Sequence, residues 1–493
     1  MEVATLIFLS SGLFLGWSLG ANHLGNVFGT AVGTRMITFM TAAVLCSVFV
    51  ILGSVISGAG AAGTLVKLGA VNALAGAFMI ALSGALAVYW MTKFGMPVST
   101  TETLVGAIIG WNLFTGFLID IDSVVKIVLT WVVCPFLSAI ISMLYFKLTT
   151  YLLRKIRPHL LRQDAYTRLG LIVAGSFGAY SLGANNIGNV MGIFIPVSPF
   201  TDFRFGDAFT FSSVQQLFLL GGVAIAVGVL TYSRKVIHTV GHRLFNLTPV
   251  AAWVVVMAHS TVLFLFASEG LEHMLAEAGL PTIPLVPVSS SQAVVGSVIG
   301  IGLVQGARRI RWRIVVNIAS AWITSPVIAG VVCFVGLFIV QNVFNQQVAR
   351  PVVYALSDTV LTRLEADGVD VGPVRDLTGR RFYSPAGLSD ALDQRVSLDH
   401  ATLKKFVTYA EVDTLVIDDA KFDGLDGGLL TAEQRAAVAR LAGRTFTHRW
   451  MFDEALMRES DAWKPLPQTK VNKLYNRDLE EKRRALYALF RIE

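Results

Sequence analysis

The chain has 493 residues, 54% hydrophobic and only 15% charged, whereas a soluble globular chain carries about a quarter charged residues. Apolar runs long enough to cross a bilayer recur from Leu6 to Val343, which excludes a soluble enzyme and makes the chain a polytopic membrane protein. The net charge of +7 is unevenly spread: residues 1–349 hold 18 Lys and Arg against 10 Asp and Glu, while residues 350–493 hold 22 against 23. The basic excess therefore sits in membrane loops, where it reports orientation and not nucleic-acid binding.

In chain order, Met1-Glu2-Val3 lacks the basic segment of a cleaved leader, so the first apolar run reads as a retained helix. Apolar segments follow at 4–19, 36–57, 69–91, 103–119 and 124–147, forming a first membrane repeat, residues 1–147. A basic linker, residues 148–168, carries Arg154, Lys155, Arg157, Arg162 and Arg168. A second repeat, residues 169–345, has apolar segments at 169–182, 209–232, 248–268, 292–306 and 314–343. Cys46, Cys134 and Cys333 all fall in such runs and read as small core residues, without metal-ligand spacing or a disulfide framework.

Charge orients these segments. Arg35, Lys93, the 147–168 loop, Arg234 with Lys235 and Arg243, and Arg308, Arg309, Arg311 and Arg313 fall on one side, placed in the cytoplasm by the positive-inside rule. Asp120, Asp122, Asp202, Asp207, Glu269, Glu272 and Glu277 fall on the other, with Lys67 and Arg204 as isolated exceptions. Five crossings per half is odd, so the halves enter from opposite sides, as an inverted-topology repeat requires.

Three motifs recur in the same order. Gly20-Ala21-Asn22-His23-Leu24-Gly25-Asn26 returns as Gly183-Ala184-Asn185-Asn186-Ile187-Gly188-Asn189. Gly and Asn loosen helices and a buried amide needs partners, so each copy predicts a helix broken near mid-depth with asparagines lining a polar cavity. Pro97-Val98-Ser99-Thr100-Thr101-Glu102, before Leu104-Val105-Gly106, returns as Pro287-Val288-Ser289-Ser290-Ser291-Gln292, before Val294-Val295-Gly296. Proline followed by hydroxyls predicts a short helix whose N-terminus offers N–H and O–H donors to an oxyanion. A weaker echo pairs Ile127–Pro135, with Trp131, against Ile318–Pro326, with Trp322.

These residues resemble the inorganic phosphate transporters of the PiT type, with the related sulfate permeases. Their signature is a repeated Gly-Ala-Asn-Asp-x-x-Asn and a repeated Pro-[Val/Ile]-Ser-Thr-Thr-His. The resemblance covers roughly residues 5–340 and implies an all-α polytopic fold: an inverted repeat of about 5+5 transmembrane helices with two re-entrant hairpins. It further implies cation-coupled uptake of an inorganic anion, phosphate or sulfate, by a homodimer in the bilayer of the inner or plasma membrane. Asn22, Asn26, Asn185 and Asn189 match the signature asparagines, and Ser99, Thr100, Thr101, Ser289, Ser290 and Ser291 match the hairpin hydroxyls. With Asn186 these form the expected substrate site.

The departures are informative. His23 and Asn186 stand where the family has aspartates, and Glu102 and Gln292 where it has hairpin histidines. Losing both aspartates removes carboxylate oxygens that sodium prefers and a strong acceptor for the proton on phosphate, while sulfate needs donors only. Phosphate remains the first expectation and sulfate permease the alternative. An ionisable group in the membrane is a functional candidate by default, so His23 and Glu102 are the expected proton-coupling residues and a proton is favoured over sodium. The competing readings are a hydrogen-bonded packing role for His23 and a capping carboxylate for Glu102.

No cofactor, metal or nucleic acid is expected, and an enzyme reading lacks a cluster to carry it. His159, His238, His242, His259 and His273 are scattered and mostly near loops, and the His238/His242 pair lacks a third ligand. Residues 350–493 change character and predict a small soluble domain of unknown role, with amphipathic helices at Ala432–Leu441 and Asp478–Phe490 and a turn cluster at 423–428. By parity of ten crossings that domain faces the exoplasm. A transporter turned receptor, with this domain as its output, is the reading that uptake would discriminate.

Overall fold

In the computed structural model the described residues are 3–69, 71–93, 98–205, 209–234, 237, 247–306, 312–418, 421, 429–467, 469 and 472–492. Pro97, Asp207, Lys235, His238, His242, Arg243, Arg308, Arg309, Arg311 and the 423–428 turn cluster lie outside them. The chain divides into two compact units. Unit 1 is Met1–Phe114, Ile119–Glu272 and Ile283–Arg350; unit 2 is Thr115–Leu118, His273–Thr282 and Pro351–Glu493.

Unit 1 is built from helices: α1 (Val3–Gly33), α2 (Phe39–Ser57), α3 (Ala59–Gly69), α4 (Leu74–Lys93), α5 (Thr100–Thr115), α6 (Ile121–Ile156), α7 (Leu160–Met191), α8 (Ser213–Thr231), α9 (Pro249–Ala267), α10 (Glu269–Glu277), α11 (Ser290–Val304) and α12 (Trp312–Asn342). A two-stranded hairpin, β1 (Phe203–Phe205) and β2 (Phe209–Phe211), separates α7 from α8. Among the described residues seven helices are long and apolar enough to cross a membrane: α1, α2, α4, α6, α8, α9 and α12. The protein is a helical, polytopic integral membrane protein. The expected spans at 103–119 and 292–306 are the shorter α5 and α11, and the span at 169–182 lies within α7, whose ends carry polar and charged residues.

One expectation is overturned. Neither Asn motif breaks its helix: α1 and α7 run unbroken through residues 20–26 and 183–189. The glycines explain why the motif reads as a weak helix yet sits in one. A Cβ on Gly20 would lie 1.9 Å from the Ile225 carbonyl oxygen, and one on Gly183 would lie 2.2 Å from that of Val50. These glycines let α1 pack backbone-to-backbone on α8, and α7 on α2, so close helix contact offsets their low propensity.

The echo around the prolines has the same origin. Pro135 lies inside α6 and Pro326 inside α12. A Cβ on Gly296 of α11 would sit 2.2 Å from the Pro135 carbonyl oxygen, and one on Gly106 of α5 would sit 2.1 Å from that of Pro326. One turn on, Gly300 abuts Ala139 and Gly110 abuts Gly330. Both short helices thus use glycines at i and i+4 to lie against a long helix of the opposite half.

Unit 2 contains β3 (Val353–Ala355), α13 (Asp358–Ala366), β4 (Arg381–Phe382), α14 (Pro385–Asp393), α15 (His400–Ala410), β5 (Glu411–Val412), β6 (Leu415–Val416), α16 (Ala432–Ala439), β7 (Thr445–Phe446), α17 (Arg449–Glu459) and α18 (Lys473–Phe490). It is built twice. Val374, Leu377, Gly379, Arg380, Phe382, Ala391 and Leu392 return at one constant offset as Val438, Leu441, Gly443, Arg444, Phe446, Ala455 and Leu456. β3 pairs with β4 through Tyr354 and Phe382, and β6 with β7 through Leu415 and Phe446. The turns match bond for bond. Gly379 N–H donates to Leu356 O at 2.7 Å and Gly443 N–H to Ile417 O at 2.8 Å, with both glycines left-handed at φ +81° and +75°.

Each copy has its own core, one around Leu364, Leu388 and Phe406, the other around Phe452, Trp463 and Phe490. Asp413, buried between them in sequence, accepts from Arg449 and, at 2.7 Å, from Arg491. Two segments from between the membrane helices belong to this unit. Gly116 O accepts from Ala386 N–H at 3.1 Å in the first copy, and His273 Nε2 lies 3.0 Å from an Arg477 guanidinium nitrogen in the second.

Candidate functional site

The second motif pair starts the helices it was expected to start. Ser289 caps α11, its Oγ accepting from Gln292 N–H at 3.3 Å, and Ser99 Oγ accepts from Glu102 N–H at 3.4 Å at the head of α5. Each is the first half of a capping box. The reciprocal half is missing for Glu102: its buried carboxylate makes no bond to the Ser99 N–H and lies instead beside the Ser289 hydroxyl of the other helix start. Gln292 Oε1 is buried and unpartnered.

The Asn motifs meet these helix starts crosswise. Asn189 on α7 donates to Thr101 Oγ1 of α5 at 2.9 Å and to Asn186 Oδ1 at 3.1 Å. Asn26 on α1 donates to Ser290 Oγ of α11 at 3.2 Å. Asn185 holds the turn before α11 by both faces of its amide, donating to Val288 O at 2.7 Å and accepting from Val288 N–H at 2.9 Å. Ser289 and Ser291 share a hydrogen bond at 3.1 Å. Asn22 is buried one turn before Asn26, and Thr100 Oγ1 is buried without a partner beside Thr101.

The two residues replacing the family's aspartates behave alike. His23 Nδ1 bonds Leu19 O at 3.0 Å and Asn186 Nδ2 donates to Leu182 O at 3.1 Å, each the carbonyl one turn back. A carbonyl only accepts, so His23 carries its hydrogen on Nδ1. All of these residues are buried except Asn26, which is half-buried. The described conformation therefore closes over a cluster of hydroxyls, amides, one carboxylate and imidazoles.

Sequence reading missed one member. His259 lies mid-way along α9, fully buried, with Nε2 2.9 Å from Ser290 Oγ and Nδ1 buried without a partner. It is not near a loop. The signal was present, since a lone histidine inside an apolar run is a functional candidate by the argument applied to His23. Unpartnered buried polar atoms are rare in folded proteins. Four of them belong to the residues of these two motif pairs and His259: Thr100 Oγ1, Asn189 Oδ1, His259 Nδ1 and Gln292 Oε1. A cluster that leaves both donors and acceptors open is suited to a small polar ligand.

A helical membrane bundle with such a cluster sealed inside it is the architecture of a membrane transporter. The sequence profile of the phosphate transporter family matches residues 19–272 and 278–421, and the chain belongs to that family. It is 25% identical over 335 residues to a protein of Methanocaldococcus jannaschii named "Putative phosphate permease", covering 68% of this chain and 97% of that one. To the sulfate permease of Bacillus subtilis it is 28% identical over 337 residues, covering 66% and 84%. Among solved structures, a sodium-dependent phosphate transporter matches with a TM-score of 0.54 and 22% identity, covering 69% of this chain and all of that one. That likeness is one of fold.

Proposed function

We propose that the protein is a secondary active transporter of an inorganic oxyanion, phosphate first, working by alternating access and symport with a cation. The observation that carries this is the crosswise pairing of Asn189 with Thr101 and Asn26 with Ser290. In each pair an asparagine motif of one half meets the hydroxyl-rich helix start of the other. Two helix N-termini then face one small space, and their dipoles, N–H groups and hydroxyls favour an anion there. Residues 1–147 and 169–345 are read as inverted repeats, α5 and α11 as the inward limbs of two re-entrant hairpins, and the assembly as a homodimer. The substrate site comprises Asn22, Asn26, Ser99, Thr100, Thr101, Asn185, Asn186, Asn189, Ser289, Ser290 and Ser291.

A proton is the favoured coupling ion, with Glu102 and His23 as its carriers, because no aspartate remains at positions 23 and 186 to hold sodium. The alternative is a sulfate permease, since the same substitutions leave a site richer in donors, which suits an anion without a proton. The soluble region 350–493 is read as exoplasmic: it shares its unit with 115–118 and 273–282, which adjoin the acidic loops opposite the basic linker.

The test is uptake of radiolabelled phosphate and sulfate into proteoliposomes, with sodium and proton gradients imposed separately. Phosphate uptake driven by an inward proton gradient is the expected result. Uptake driven by sodium alone would reject the coupling assignment, and no uptake of either anion would reject transport.

A further inference from the structure

We propose that His259 is the residue that makes anion binding depend on a proton, by setting which way the Ser290 hydroxyl points. The inference rests on the proton-symport reading above and adds to Glu102 and His23 the group through which a proton reaches the anion-binding hydroxyls. Ser290 Oγ lies between two nitrogens, Asn26 Nδ2 at 3.2 Å and His259 Nε2 at 2.9 Å. The Asn26 nitrogen is an amide NH2 and only donates, so it takes one lone pair of Oγ in every state. What remains is the hydroxyl hydrogen and the second lone pair, and His259 decides their use.

With neutral His259 protonated on Nδ1, Nε2 is an acceptor and Ser290 turns its hydrogen toward it. The hydroxyl then has no donor left for a substrate. With a proton on Nε2 the bond reverses: His259 donates, Ser290 Oγ accepts twice, and its hydrogen is free for an oxyanion oxygen. The imidazolium has both nitrogens protonated, so charging His259 forces this second arrangement and adds a positive charge beside the anion. Its Nδ1, buried without a partner, is the remaining position a proton can occupy. By linkage, an anion that accepts from Ser290 favours protonation of His259 to the same extent that protonation favours the anion. One proton is taken up with the anion on one side and released to water with it on the other, so no other reactant is required.

The surroundings permit the switch. From α1, His23 lies within electrostatic reach of His259. α11 brings Ser290, Ser291 and Gln292, and α7 brings Asn185, Asn186 and Asn189, none of which titrates. α6 offers Tyr145, whose hydroxyl is 3.3 Å from Thr261 Oγ1 on α9, and Cys134, which lies near Glu102 of α5. Glu102 is the one carboxylate of the cluster and the natural source of a counter-charge.

The experiment measures phosphate affinity against pH for the full-length protein in proteoliposomes, for wild type, His259→Gln, Ser290→Ala and His159→Asn. Comparing variants with wild type cancels the titration of phosphate itself. Coupling to one proton predicts that wild-type affinity changes by up to about tenfold per pH unit beyond that background. His259→Gln and Ser290→Ala should both lose this slope. His159→Asn should keep it, because His159 is exposed at the start of α7 and asparagine can cap that helix as the histidine does. A normal slope in Ser290→Ala overturns the proposal even if His259→Gln fails to assemble. If wild type is proton-driven and His259→Gln remains so, the proposal alone falls. If wild type moves phosphate with no proton dependence, the symport reading falls with it.

Discussion

Asn185 does the most positional work of any single side chain in the site, because its amide satisfies both backbone groups of Val288. Removing it leaves a buried N–H and C=O unpaired at the turn that presents Ser289 and Ser290. Asn185→Ala should therefore destabilise the protein by about 2–4 kcal/mol. It should also lower anion affinity more than Asn186→Ala, whose amide returns only to its own helix; thermal unfolding and phosphate binding check both. A second prediction concerns unit 2. Burial holds the Glu411 carboxyl above the usual glutamate range, with Arg449 opposing the shift. A raised folded-state value means the folded form binds the proton more tightly than the unfolded chain. That contribution to stability is full at acid pH and is lost as pH rises through the raised value. Glu411→Gln should flatten this fall in the thermal midpoint of unit 2. At this scale the sequence was legible wherever residue type constrains chemistry, as for the asparagines and hydroxyls. It was not legible for His259, because nothing local says that a histidine in α9 will meet a serine in α11.

At the scale of elements, the glycine pattern divides into close contacts and free positions. Gly296→Ala places a Cβ 2.2 Å from the Pro135 carbonyl oxygen, and backbone must move to admit it. The cost should be about 1–3 kcal/mol by analogy with overpacked cores, read as a lower unfolding temperature in detergent. Gly63 of α3 is exposed and a Cβ there meets nothing within 4 Å. Gly63→Ala should be neutral or stabilising by about 0.5–1 kcal/mol. In unit 2 the matching turns offer a paired test. Gly379→Ala and Gly443→Ala each force a side chain into left-handed backbone, and each should cost about 1–2 kcal/mol in its own copy. The helix start at each hydroxyl motif was readable from proline and cap chemistry. The continuity of α1 and α7 was not, since Gly and Asn predict a break and only packing against α8 and α2 supplies the compensation.

At the scale of the molecule, sidedness is the prediction that organises the rest. Cys46, Cys134 and Cys333 are buried, so a single added cysteine can be read against a quiet background. Asp370→Cys, in the unit with 115–118 and 273–282, should react with a membrane-impermeant maleimide in intact cells. Arg157→Cys in the basic linker should react only after permeabilisation. The reverse pattern would invert the assigned topology. Composition and hydrophobic runs by themselves determined a polytopic membrane protein, and the repeated motifs its transporter family, because burial in lipid restricts the amino acids allowed. Tertiary structure alone decided which motif meets which: Asn189 with Thr101, Asn26 with Ser290, and His259 with that same hydroxyl. It also decided that unit 2 repeats itself, a pattern Val-x-x-Leu-x-Gly-Arg-x-Phe carries too faintly to read until paired strands give it a register. The reason is physical. Helix starts and apolar runs are set by neighbours within a turn of chain, whereas a hydrogen bond between helices 88 or 264 residues apart depends on how close-packed glycines let those helices lie.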